Sequence, residues 1–197
     1  PGGSSALGTV GFVNAALELE AQVREGRCPE PAAIVCALGS CGTLAGLVAG
    51  VRVSGLRSRV IGVRVTPWAV ANSLLVARLA NRSLALLRRC GAVMDVPAVR
   101  AAEVEILDGY YGGEYGLATP AALDAVALAG RHGVILETTY TGKAFAGALD
   151  LVRGGREGPV LFWNTYNSND LSEEAAAVDP GSLPPAFHRF FEGEIHA

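Results

Sequence analysis

The chain has one methionine, Met94, and one lysine, Lys143. The first scarcity sets the expectation that Pro1 is not a natural translation start and that the chain is trimmed, cleaved or excerpted. The second confines any chemistry that needs a primary amine to Lys143 or to a lysine supplied from elsewhere. Charged residues are only 18% of the total, the formal net charge is -3, and no dense Lys/Arg cluster occurs. Nucleic acid and anionic membrane surfaces are therefore excluded as main partners, since both select concentrated positive charge. No apolar run approaches the length of about 20 residues that crosses a bilayer, and no charged-then-apolar signal peptide opens the chain. The expected location is cytoplasmic. Cys28, Cys36, Cys41 and Cys90 form no C-x-x-C pair and no Cys/His pattern with zinc spacing, so they read as free thiols and no metal is expected. His132, His188 and His196 lack partners at triad or metal spacing and read as surface residues.

What the chain does have is a core. Half of its 197 residues are hydrophobic, and a chain of this size buries roughly 70% of its unfolded surface. One domain over residues 1–170 and an irregular C-terminal tail over residues 171–197 are expected. In the tail, Phe187, Phe190 and Phe191 are expected to dock on the body or on a neighbouring subunit.

Residues 32–47 organise the rest. An apolar run through Ile34, Val35 and Leu38 meets a short loop, Gly39, Ser40, Cys41, Gly42 and Thr43, which opens onto an amphipathic segment. That is the pattern of a strand, a turn and a helix start. The first N–H groups of a helix are unpaired and carry the positive end of its dipole, so a small-residue loop there can wrap a phosphate. Glycines let the backbone approach, and the hydroxyls of Ser40 and Thr43 can add hydrogen bonds. Taken alone the signal is weak, because many strand-to-helix turns use Gly and Ser only to turn and cap. The spacing matches neither the dinucleotide fingerprint nor the Walker loop, where a lysine stands in place of Thr43.

Along the chain, Leu7, Val10, Val13, Leu17 and Leu19 suggest the apolar stripe of a first helix ended by Gly26. A second strand is expected over residues 59–65. One long helix or two short ones follow over residues 68–89, with a half-exposed or edge strand over residues 103–107. Asp108 to Leu117 is a loop rich in glycine and tyrosine. Thr119 and Pro120 then make an N-cap with proline at the first helical position. A short strand is expected at residues 134–138, a helix over residues 143–153 with Lys143 as a capping or surface residue, and a final strand over residues 160–163. Near-continuous apolar strands alternating with helices imply an α/β fold of three layers, a mostly parallel sheet covered on both faces. Ligands of such sheets bind beyond the C-terminal strand ends, where the Gly39 loop, the Tyr140 turn and the Asn164 run would share one rim.

Four ordered patterns resemble one family. They are Gly2-Gly3-Ser4-Ser5-Ala6-Leu7-Gly8, Gly39-Ser40-Cys41-Gly42-Thr43, Gly112-Gly113-Glu114-Tyr115-Gly116-Leu117 and Tyr140-Thr141-Gly142-Lys143-Ala144. Together they resemble the later part of the large domain of the pyridoxal-phosphate enzymes that include D-cysteine desulfhydrase and 1-aminocyclopropane-1-carboxylate deaminase (fold type II, tryptophan synthase β-like). The resemblance implies pyridoxal 5'-phosphate as cofactor, its phosphate held by residues 39–43. It implies Tyr140 against the pyridine ring, Tyr115 on the substrate side as acid or hydrogen-bond donor, and Thr141 with Thr165 facing the ring nitrogen. Tyr115 and Tyr140 are thus the candidate catalytic residues. A neutral hydroxyl at the ring nitrogen weakens the electron sink relative to a carboxylate. With Thr141 where the ring-opening deaminases carry glutamate, the chain resembles the desulfhydrase branch, and β-elimination from a small amino acid is expected.

Three departures matter. No segment matches the family's Schiff-base lysine, Cys41 stands where relatives tend to have glycine, and Asn164 with the following polar residues replaces a more glycine-rich ending. The expectation is a lyase or deaminase that acts as a homo-oligomer, a dimer, with the lysine in further N-terminal sequence or on a separate chain. The alternatives are a non-catalytic protein that binds pyridoxal phosphate or another phosphometabolite, and a structural subunit that pairs with a second chain.

Overall fold

The computed structural model describes residues 3–167, 169–188 and 191. Its centre is β1 (Ala33–Leu38), buried along nearly its whole length because both of its faces are apolar. On one side Ile34, Cys36 and Leu38 pack into a core with α1 (Ala6–Arg24), α2 (Gly42–Ser54) and α3 (Ser73–Arg89). On the other, Ala33 and Val35 meet α5 (Thr141–Arg153), which is flanked by α4 (Pro120–Gly130). Strands β2 (Arg59–Arg64), β3 (Glu105–Leu107) and β4 (Val160–Phe162) complete a four-stranded sheet in the order β3-β2-β1-β4. Every pairing is parallel, with Ala33 opposite both Arg59 and Val160. The fold is α/β, with helices on both faces of a parallel sheet. No helix among the described residues is long and apolar enough to cross a membrane, and none of their His, Cys, Asp and Glu side chains gather in threes to hold a metal ion.

The first helix buries Val13 and Leu19 of the expected stripe but not its other two leucines. Leu7 is 74% exposed and Leu17 is exposed as well, whereas Thr9, Val13, Ala16 and Leu19 are buried. The reason lies in α2. A Cβ on Gly46 would stand 2.4 Å from that of Phe12, and one on Gly50 would stand 2.5 Å from that of Ala16. The two helices touch backbone to backbone, and the contact selects small residues over large ones.

Residues 134–138 form no strand. Leu136 is buried, but the segment runs into a turn in which the Glu137 carboxylate accepts from the N–H groups of Thr139, Tyr140 and Thr141. Within the segment the Val134 N–H donates to the Ala129 carbonyl, the Glu137 N–H to the Thr141 hydroxyl, and the Ile135 carbonyl accepts from the Asn164 side-chain amide, so its backbone groups find local and side-chain partners in place of a sheet. Over residues 68–89 a turn precedes a single helix, capped where Asn72 accepts from the Leu75 N–H at 3.0 Å. β3 is an edge strand, as the alternating pattern suggests. The tail carries two short helices, α6 (Ser172–Ala176) and α7 (Pro185–His188). Phe187 and Phe191 are exposed there, while Ser168, Phe190 and His196 lie outside the described residues.

Candidate functional site

The chain leaves β1 through Gly39, whose carbonyl accepts from the Thr66 hydroxyl at 3.0 Å. Thr66 follows β2 and fixes the loop from behind; nothing in the sequence pattern singled it out. Cys41 is the N-cap of α2 and sits at φ 72, the only non-glycine residue with positive φ among those described. A left-handed backbone costs a side-chain-bearing residue roughly 1–2 kcal/mol, a cost that glycine would not meet at this place. Its thiol is buried, points to the Val70 carbonyl at 3.6 Å, and is raised in pKa by burial, opposed by a backbone hydrogen bond from Asn72. Cys41 gives α2 no side-chain cap, and the first turn carries no acidic residue. The first amide bonded back into the loop is that of Ala45, to the Cys41 carbonyl at 2.9 Å. The N–H groups ahead of it are the unpaired positive end of the helix.

In front of this helix start is a cavity of about 120 Å³ lined by Ala37, Gly39, Ser40, Cys41, Gly42, Thr43, Tyr140 and Thr165. Residues from the loop after β1, the start of α5 and the run after β4 thus meet at the C-terminal rim of the sheet. The Tyr140 ring lies directly over Gly39, where an added Cβ would come within 3.0 Å of its Cε1. Any side chain there would press the ring back by a few tenths of an ångström, so glycine suits this close approach. The Tyr115 and Tyr140 hydroxyls are hydrogen-bonded to each other, with ring centroids 6.0 Å apart in an edge-on arrangement. Tyr140 is pushed up to about 12, by burial first, then by the Tyr115 hydroxyl and the nearby Glu137 charge.

Thr141 stands differently. Its hydroxyl accepts from the Glu137 N–H at 3.0 Å and lies 3.0 Å from the Glu137 carboxylate. Buried in its own turn, it does not line the cavity, whereas Thr165 does. The β1–α2 loop, Tyr140 and Thr165 are brought together; Tyr115 joins through Tyr140; Thr141 is held apart by Glu137.

Lys143 corrects the expectation of a capping or surface residue, since its exposure is 0%. Its Nζ donates to the Tyr111 carbonyl at 2.8 Å and stands 5.8 Å from the centre of the Tyr111 ring. Burial lowers its pKa, against an opposing pull from Glu137. Two turns further along α5, Asp150 accepts from the Tyr110 hydroxyl at 2.9 Å. Burial and that carboxylate raise the phenol to about 12. Thus Tyr115, Tyr111 and Tyr110 meet α5 at Tyr140, Lys143 and Asp150, and the glycine-tyrosine loop is laid along one helix face. The spacing of 143 and 150 on a helix was the available signal, but the sequence does not say which loop those side chains receive.

Residues 1–165 match the profile of a family described as pyridoxal-phosphate dependent enzyme. Among solved structures, that of an ACC deaminase homologue is similar at a TM-score of 0.66 and 30% identity, over 89% of this chain. The matched region is 50% of that protein, so this chain spans about half the length of its structural relative.

Proposed function

Because the chain belongs to the pyridoxal-phosphate dependent enzyme family, we propose that it holds that cofactor in a lyase or deaminase acting on a small amino acid, by α-proton abstraction and β-elimination of the D-cysteine desulfhydrase type. The observation that carries the reading is the cavity at the end of β1, which unites an uncapped helix start, the hydroxyl residues Ser40, Thr43 and Thr165, and an aromatic ring. The residues fit the group. Gly39 lacks the Cβ that would displace Tyr140, and no carboxylate lines the cavity to repel a phosphate.

When bound, pyridoxal phosphate supplies an electron sink for a carbanion beside an amino group. The start of α2 with Ser40 and Thr43 would hold its phosphate, and Tyr140 would offer an aromatic contact to its ring, of about 0.5 to 1.5 kcal/mol beyond burial. Thr165 offers a neutral hydroxyl on the same wall. Tyr115, 60% exposed and bonded to Tyr140, holds or passes a proton on the open side. The absence of a carboxylate from the cavity supports elimination over cyclopropane ring opening, because a neutral partner leaves the ring less protonated. The working enzyme is a homodimer in the cytoplasm, with the tethering lysine supplied from a further segment or a separate chain.

The second reading is a protein that binds the cofactor without chemistry, and the placing of Lys143 bears on the test that separates them. The sole lysine, Lys143, is buried away from the cavity. A single experiment separates the two. The protein as isolated from its source, with any partner chain and any residues beyond these 197, is titrated with pyridoxal phosphate by absorbance, reduced with borohydride and mapped by mass, then assayed for pyruvate release from small β-substituted amino acids. The lyase reading expects a modified lysine other than Lys143 and pyruvate release. Saturable binding with neither is the result expected of the binder. Equal affinity in wild type and Gly39→Val, which fills the cavity under Tyr140, overturns the assignment of the site.

A further inference from the structure

No Asp or Glu occurs between Glu30 and Asp95, a span that contains the β1–α2 loop and eight arginines. Most of those arginines are matched from outside the span or by backbone. Arg52 pairs with Glu103, Arg57 with Glu30, Arg59 with Glu105 and Arg64 with Asp108, while Arg88 donates to the Val96 carbonyl. Arg78, Arg82 and Arg89 have no ion-pair or hydrogen-bond partner among the described residues, and the first two share a groove. They lie four residues apart on α3, where like charges repel, and both line a groove of about 240 Å³ with Ser4, Ser40, Cys41, Val70, Leu75 and Leu79.

This groove lies on the other side of the loop from the cavity under Tyr140, and the two share only Ser40 and Cys41. At their common wall the hydroxyls of Ser4 and Ser40 are hydrogen-bonded at 2.6 Å. The groove therefore combines two planar cations, two hydroxyls, no acidic residue and one apolar wall formed by Val70, Leu75 and Leu79.

We propose that this groove is a second oxyanion site, distinct from the cofactor cavity, that takes a phosphate group on Arg78 and Arg82. Arginine forks match the geometry of phosphate oxygens and form hydrogen bonds about twice as strong as neutral ones. The Ser4 hydroxyl, held by Ser40, completes the shell, and the apolar wall suits an organic phosphate more than the free ion. The proposal stands on the arginine groove alone and not on the identity of the cofactor.

Calorimetric titration of the full chain with inorganic phosphate and with phenyl phosphate tests it, using wild type, R78Q/R82Q and G39V. The arginines are exposed, so folding of the double variant is checked simply by circular dichroism. The expected result is a site weakened about tenfold or more in R78Q/R82Q and retained in G39V. Tighter binding of phenyl phosphate assigns an organic phosphate, and equal binding assigns the free ion. Phosphate binding unchanged in R78Q/R82Q overturns the proposal. So does a single site lost in both variants, which would place the arginines in the cofactor cavity. Loss of the cofactor in G39V with the arginine site intact would leave this proposal standing whatever becomes of the lyase reading.

Discussion

At the start of α5 the Glu137 carboxylate takes the N–H groups of Thr139, Tyr140 and Thr141, at distances from 2.6 to 3.1 Å. At the start of α2, whose loop lines one cavity with Tyr140, no side chain caps the helix and no acidic residue enters the first turn. Both helix ends present the same unpaired donors and the same dipole. One is answered by a charge that the chain carries; the other faces a cavity framed by hydroxyls. The difference separates a structural helix start from a binding one, a distinction that glycine content and rim position alone do not make. It also explains the placing of Thr141, because the carboxylate that fills the α5 end takes its hydroxyl too.

Emptying the filled end breaks this comparison most strongly. Glu137→Ala removes an internal anion from three amides and is expected to lower unfolding free energy by about 2 to 3 kcal/mol, read by urea denaturation. If stability holds, the α5 start does not depend on its carboxylate and the contrast with α2 fails.

The open end is tested through Cys41. Cys41→Ala keeps the left-handed backbone cost and loses the thiol contact, for a loss of about 1 kcal/mol. Cys41→Gly relieves the backbone and is expected to be at least as stable as the alanine variant. The reverse order in thermal melts would show that the thiol, not the backbone, governs this turn.

An ordinary cap supplies the scale. Thr119 accepts from the Ala122 N–H at 3.2 Å at the start of α4, and Thr119→Ala is expected to cost about 1 kcal/mol. A loss as large as that of Glu137→Ala would remove the special standing of the charged cap.

The smallest effect is in pH. Tyr140 and Tyr110 are both raised to about 12 from an ordinary value of 10. Between those values the folded chain holds protons that the unfolded chain has released, so stability falls as pH rises from 10 towards 12. Tyr115→Phe removes one contributor at Tyr140 and is expected to lower its titration midpoint, followed by ultraviolet difference absorbance. Burial, the largest cause, remains, so the midpoint stays above 10. An unchanged midpoint would detach Tyr115 from the site.

Much of this was legible in the residues. The Thr119-Pro120 cap, the parallel sheet and the rim position of residues 39–43 follow from local patterns that the structure keeps. The strand expected at residues 134–138 was not legible as a turn, because Val134, Ile135 and Leu136 have strand character while their backbone partners, the Ala129 carbonyl and the Asn164 amide, come from outside the segment. Nor was the exposure of Leu7 and Leu17 on α1, where glycines on α2 select small residues at the contact.

By itself, the sequence determined that an apolar strand, covered on both sides, ends in a small-residue loop at a helix start. Those features depend on neighbours within a few residues, where backbone sterics and side-chain period act directly. Only the tertiary structure decided that Lys143 is buried on the Tyr111 carbonyl, that Thr165 and not Thr141 reaches the cavity, and that Arg78 and Arg82 are left without carboxylates. A side chain's partner and its exposure to water are set by segments distant in sequence that meet only when the chain is packed, and local composition carries no record of that meeting.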